Sequence, residues 1–214
     1  MEPPLRRWVA HSVLGVVPIL LWAGFHLWEQ WAAFFGRDAF VSRLAATSRS
    51  PTGVALQVVI LIAIAAFAYL ELTLRRSAEP EPLALALAER PEAARRLARL
   101  ARVGTWALLA FVAYHALWLA MPRLAGGDAL EAWLRLRQLG SWSHAALHAI
   151  GLTGLAIHLW TALPRMAIAL GWAQSPETRR GARVSALLVA ALFLLLYGQL
   201  AGLHASGTGT LWSL

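Results

Sequence analysis

Five apolar runs, at about residues 9–34, 52–74, 103–121, 143–165 and 184–204, constrain this chain more than any other feature. A helix needs about 20 apolar residues to cross the hydrocarbon core of a bilayer, and each run is of that order. In lipid every backbone N–H and C=O must be paired within the segment, so an apolar run of this length reads as a helix. The runs fill over half of the 214 residues and leave no room for a separate soluble domain. The fold class expected is all-α integral membrane, one five-transmembrane-helix bundle spanning 1–214. A charged fraction of 14% and a mean hydropathy of +0.58 agree with it, since soluble domains carry about 25% charge.

Charge then sets an orientation. All 19 basic residues are Arg, and the net charge is +8. Arg6, Arg7, Arg75, Arg76, Arg90, Arg95, Arg96, Arg99, Arg102, Arg165, Arg179, Arg180 and Arg183 fall on one side of the five spans. Arg37, Arg43, Arg49, Arg123, Arg135 and Arg137 fall on the other. Cytoplasmic loops carry the excess of Arg, which places the N-terminus in the cytoplasm and the C-terminus outside. Arg at helix ends and in loops reads as topology and partner docking, and no nucleic acid is expected. The first run lacks a small-residue cleavage site and is too long for a signal sequence, so it reads as a retained span.

The connections are short. The loop at 35–51 ends in Ser50–Pro51, which suits a helix start. The stretch 75–102 opens with two prolines in "SAEPEP" and continues as "LALALAERPEAARRLARLAR". It reads either as a basic surface helix against anionic lipid or as an extension of the third span. The loop 122–142 contains "GGDALEAWLRLRQLG", read as a short interfacial helix between Gly127 and Gly140. Several of the 11 Trp lie near span ends, as in aromatic belts.

The seven histidines carry the chemistry. With no cysteine, disulfides, thiolate zinc sites and iron–sulfur clusters ligated by this chain are excluded. Polar side chains inside spans are costly and face the bundle interior. At about 1.5 Å per residue, His26 lies ~25 Å from the cytoplasmic end of the first span and His115 ~19 Å from that of the third. These two are partners by depth. His158 lies ~10 Å from the cytoplasmic face and belongs to a different level. His11, fifteen residues before His26, sits near the cytoplasmic interface. Zinc needs three or four protein ligands, and Glu29 is the only carboxylate near His26 and His115. Haem iron needs two axial imidazoles. Ala23, Gly24, Ala113, Ala116, Gly151 and Gly154 offer clearance for a macrocycle, whereas packing or interhelical hydrogen bonding explains each His without a cofactor. His144 and His148, one turn apart, read as an interfacial polar stripe, with a metal site as the alternative. His204 is placed near the outer surface.

"RRWVAHSVLGVVPILLWAGFH" resembles the first helix of the cytochrome b558 family, the five-helix membrane anchor of type B succinate:quinone oxidoreductases (succinate dehydrogenases and fumarate reductases). "RVGTWALLAFVAYHALW" and "IGLTGLAIHLWTALPRMAIALGWAQSPETRR" are similar to its third and fourth helices. The resemblance covers essentially the whole chain. It implies haem b as cofactor, with His26 and His115 as axial ligands of the distal haem. It implies His158 as one ligand of a proximal haem. The partner position on the second helix aligns with Ala68, which cannot ligate iron. Tyr69 is adjacent but points about 100° away around the helix. One haem or two, and the sixth ligand opposite His158, stay open. His11 is then a candidate contact for a haem propionate or a quinone headgroup, with water as the plain alternative, and Glu29 is a candidate proton carrier or an interfacial carboxylate. The resemblance further implies a flavoprotein and an iron–sulfur subunit on the cytoplasmic face of a bacterial inner membrane. The chain would anchor them and pass electrons to membrane quinone. Two alternatives remain: a stand-alone transmembrane b-type cytochrome, or a haem-free anchor or small transporter. Transporters show repeats and helices broken near the midplane; Pro18 is the one candidate break, and no repeat is visible.

Overall fold

The computed structural model describes residues 3–76, 91–120 and 128–206. Every regular element among them is helical: α1 (Pro3–Gln30), α2 (Arg37–Arg49), α3 (Pro51–Arg76), α4 (Pro91–His115), α5 (Ala129–Arg137), α6 (Trp142–Ala169) and α7 (Pro176–Ser206). Five helices are long and apolar enough to cross a membrane. They are α1, α3, α4, α6 and α7; the runs 52–74, 143–165 and 184–204 lie inside α3, α6 and α7, and the runs 9–34 and 103–121 overlap α1 and α4 and extend past their ends. Pro18 lies inside α1 without ending it.

The chain breaks where its residues demand it. α1 tightens into a 3-10 turn, Trp31–Phe35, and Gly36 then takes φ 105°, a conformation that a Cβ disfavours. Ser50 precedes Pro51, the first residue of α3, and its Oγ accepts from Gly53 N–H, as the sequence predicts for a helix start. The stretch 35–51, expected as a loop, instead holds α2. Phe40, Leu44 and Thr47 recur there at helical spacing and are buried, an amphipathic signal that three Arg obscure. The interfacial helix expected within 122–142 is α5. Asp128 caps its start by accepting from Leu130 N–H. The second half of the 75–102 stretch is the start of α4, an extension of the third span; residues 77–90 lie outside the described residues.

α6 is the central helix, packed against α1, α4 and α7, while α3 lies chiefly on α1. The α4–α6 seam is tight because glycines line it. A Cβ on Gly104 would meet the Ile157 side chain at 2.5 Å, and one on Gly154 would meet the Leu108 backbone at 2.9 Å. Small residues at such seams let backbones approach, and dispersion replaces the missing hydrophobic drive in lipid. Ile19, Ile60, Ile64, Leu108, Leu155 and Leu159 fill the bundle centre. A second cluster, Phe40, Leu44, Leu136, Leu139 and Leu203, joins α2 and α5 to the end of α7. This cap defines one end of the bundle. The opposite end, where α1, α4 and α7 begin, is the Arg-rich end.

Candidate functional site: two levels of histidine

The histidines occupy two levels. At the cap-end level, His26 of α1 and His115 of α4 face each other with ring centres 5.3 Å apart and planes perpendicular. Trp22, one turn before His26, stacks parallel to it at 5.6 Å. Tyr197 of α7 lies on it at 6.3 Å, held by a hydrogen bond from its hydroxyl to the Ala23 carbonyl at 2.6 Å. His115 rests on Phe111 at 5.4 Å.

Polar residues tie this level to the cap. Thr47 of α2 donates to Glu29 Oε1 at 2.6 Å, and the other carboxylate oxygen lies 3.7 Å from His26 Nδ1. His204 Nε2 donates to Gln30 Oε1 at 2.9 Å. At 2% exposure, His204 is inside the bundle, not near the outer surface. His148 also departs from the expected interfacial stripe. It is buried, 5.8 Å from His115, while His144 sits under Trp118. The His148 Nδ1–H donates to the His144 carbonyl at 2.8 Å, and its buried Nε2 has no hydrogen-bond partner. The signal lay in "HAALHAIGLTG", where His148 stands one turn before Gly151.

Two cavities flank the pair. One is lined by Trp22, His26, Phe111, His115, His148 and Tyr197, with about 590 Å³ free of protein atoms including its opening. The other is lined by His26, Glu29, Gln57, His115 and Phe40, with about 760 Å³. Ligand sites of this kind are largely apolar clefts with a few convergent polar groups. No three described His, Asp or Glu side chains stand close enough to share one metal ion.

The residues at this level fit a haem. Two imidazoles on separate helices face each other. Aromatic and aliphatic walls adjoin voids on either side. A metal about 2 Å from each nitrogen sets facing ring centres roughly 6 Å apart, so the 5.3 Å pair must open slightly.

The Arg-rich level is built differently. His158 of α6 is 1% exposed, and both its ring nitrogens are used. Nε2 donates to the Gly15 carbonyl at 2.6 Å. Nδ1 therefore accepts, from the Thr105 hydroxyl at 3.1 Å. His11 Nε2 lies 2.7 Å from Glu71 Oε2 of α3, and both side chains are buried. Phe67, one turn before Glu71, touches His11 at 5.0 Å and His158 at 5.6 Å. Its ring edge fills the concavity of Gly15, 2.7 Å from where a Cβ would stand.

The buried stripe of α3 thus runs through Ile60, Ile64, Phe67, Glu71 and Leu74. Ala68, the position aligned with a second-helix ligand, stands one residue off it, and Tyr69 is 67% exposed. These residues do not fit a second haem: α3 offers no ligand, Phe67 holds the space, and His158 has no nitrogen to spare. His11 meets a carboxylate of its own chain, that of Glu71. Sequence reasoning passed over Glu71 and Arg165. Each is an ionisable residue inside an apolar helix, a signal readable in "AYLELTL" and "TALPRMAIAL".

No family model, curated protein or solved structure matches the chain.

Proposed function

We propose that this chain is the membrane-anchor cytochrome b of a succinate:quinone oxidoreductase complex, holding one haem b between His26 and His115. The observation that carries the proposal is the facing pair itself. Two imidazoles from different membrane-length helices meet 5.3 Å apart beside apolar cavities, and a b-type haem needs two such ligands and a dry, shaped site. Bound there, haem b supplies a one-electron station between an iron–sulfur partner and membrane quinone.

The chain's own residues do the rest. Trp22 and Tyr197 lie near-parallel to the His26 ring and limit its rotation. Glu29, steadied by Thr47, stands beside His26 Nδ1 and can hold a proton there. Arg95, Arg96, Arg99 and Arg102 are exposed along the start of α4. This basic face suits an acidic protein surface, where complementary charge speeds and orients docking. The first-helix resemblance supplies the identity of the partners, a flavoprotein and an iron–sulfur subunit working on succinate or fumarate. It also supplies the setting, a bacterial inner membrane with the Arg-rich end in the cytoplasm.

The test is a pyridine haemochrome assay on the purified protein. One haem per chain is expected, lost in His26→Ala and in His115→Ala and kept in His158→Ala. No haem at all would sink the cytochrome and leave a haem-free anchor. Co-purification with a flavoprotein and an iron–sulfur protein separates the anchor from a stand-alone cytochrome.

A further inference from the structure

The Arg-rich level holds ionisable groups for which the proposed electron path has no use. Glu71 is 2% exposed at the depth of a membrane span. A carboxylate there is expensive unless it is paired or protonated. Its partner, His11, also binds protons and lies 2.7 Å away on another helix. Apolar rings enclose the pair, with Trp8 edge-on to His11 at 5.6 Å and Phe67 at 5.0 Å.

Among the described residues, α6 also brings charged or titratable groups to this level. They are Arg165, 6% exposed, with its Nε–H on the Thr161 carbonyl, and His158. α4 contributes Thr105, which does not titrate in this range. His158 has both ring nitrogens engaged, by the Gly15 carbonyl and the Thr105 hydroxyl. A small cavity lined by His11, Ser12, Gly15, Phe67, His158 and Arg165 adjoins the pair. It has polar and apolar lining and room for about one water, enough to pass a proton.

We propose that His11 and Glu71 form a proton-binding site inside the bundle, exchanging with the Arg-rich end through the small cavity beside Arg165. With no proton the pair carries one negative charge. With one proton shared along the 2.7 Å contact it is neutral, and with two it is positive. The site therefore takes up and releases one proton per chain, held between its two members. His11 lies about 6 Å along α1 from Arg7, so the path to the Arg-rich end is short. The site stands apart from His26 and His115 and does not depend on a haem there.

Infrared spectroscopy of the full chain in lipid bilayers, titrated from acid to alkaline pH, tests this. A carbonyl stretch from a protonated, apolar-site carboxyl group should appear and vanish once across the range. It should shift on labelling glutamate with ¹³C and be absent from Glu71→Gln. In the wild-type chain, ¹⁵N-histidine NMR should show the His11 ring titrating at the same midpoint. That measurement needs no variant, so a Glu71→Gln chain that fails to fold does not spare the proposal. A Glu71 signal constant across the range, or a His11 ring that titrates independently of it, would overturn the proposal and leave a static ion pair. Loss of haem from the chain would leave both readouts unchanged, so the two proposals fail separately.

Discussion

The two histidine levels use the same residue type to opposite ends. At the Arg-rich level the ring of His158 is saturated: one nitrogen gives, the other takes, and Phe67 fills what remains. At the cap-end level rings meet rings, voids lie on either side, and His148 keeps a buried nitrogen without a partner. Buried polar groups in folded proteins are almost always hydrogen-bonded. A ring that satisfies this rule internally, as His158 does, needs no ligand. One that breaks it beside a cavity is arranged for something else to complete it.

The sharpest way to break the comparison is to move the ligands. His26→Ala or His115→Ala is expected to abolish haem binding, read as complete loss of the Soret band. Ala68→His, which restores the residue that the family resemblance calls for, is expected to add no second haem. Residue 68 lies on the shoulder of the α3 stripe, and Phe67 occupies the space facing His158. Two haems in Ala68→His would show that Phe67 yields and that the level is not closed.

Next in size is Phe67→Ala. It removes a ring that is 1% exposed and packed on Gly15, His11 and His158. A loss of about 3–5 kcal/mol is expected for emptying such a site, measured by denaturation in detergent. The haem content should not change. A coupled fall in haem would mean that the two levels are not independent.

How far the sequence foretold this contrast depends on what each signal reports. Run length gave the five spans because lipid leaves the backbone one choice. Depth along a helix put His26 with His115 and His158 on another level, because rise per residue is nearly constant. Rotation about the helix was less legible. Counting residues set Ala68 level with His158, but the interior face of α3 passes through Phe67 and Glu71, about 100° and 60° from Ala68 around the helix. His148 was judged against His144 on its own helix, while its neighbours are His115 and Phe111 on α4. His204 looked peripheral because the cap that buries it is made by α2 and α5, elements with weak signals in the sequence. Contacts across helices are what periodicity within a helix does not carry.

A third test weighs His158 alone. His158→Leu keeps the bulk and removes both hydrogen bonds. The Gly15 carbonyl retains its place in α1, whereas the Thr105 hydroxyl, 3% exposed, loses its partner. A loss of about 2–3 kcal/mol is expected, from the stranded hydroxyl and imperfect refilling.

The smallest expected effect comes from the same substitution at the other level. His148→Leu strands nothing. Nε2 has no partner to leave behind, and the His144 carbonyl that Nδ1 meets lies within α6, where the backbone N–H of residue 148 can satisfy it. Replacing an unpartnered buried polar atom by an apolar group of similar shape is nearly neutral, so a change within about 1 kcal/mol is expected in the haem-free chain. Set beside His158→Leu under the same conditions, the pair of variants measures the contrast directly. Equal losses would mean that His148 Nε2 is engaged in the membrane-embedded protein and that the cap-end level is as closed as the other. A small loss at His148 and a large one at His158 is what an open level beside a sealed one requires.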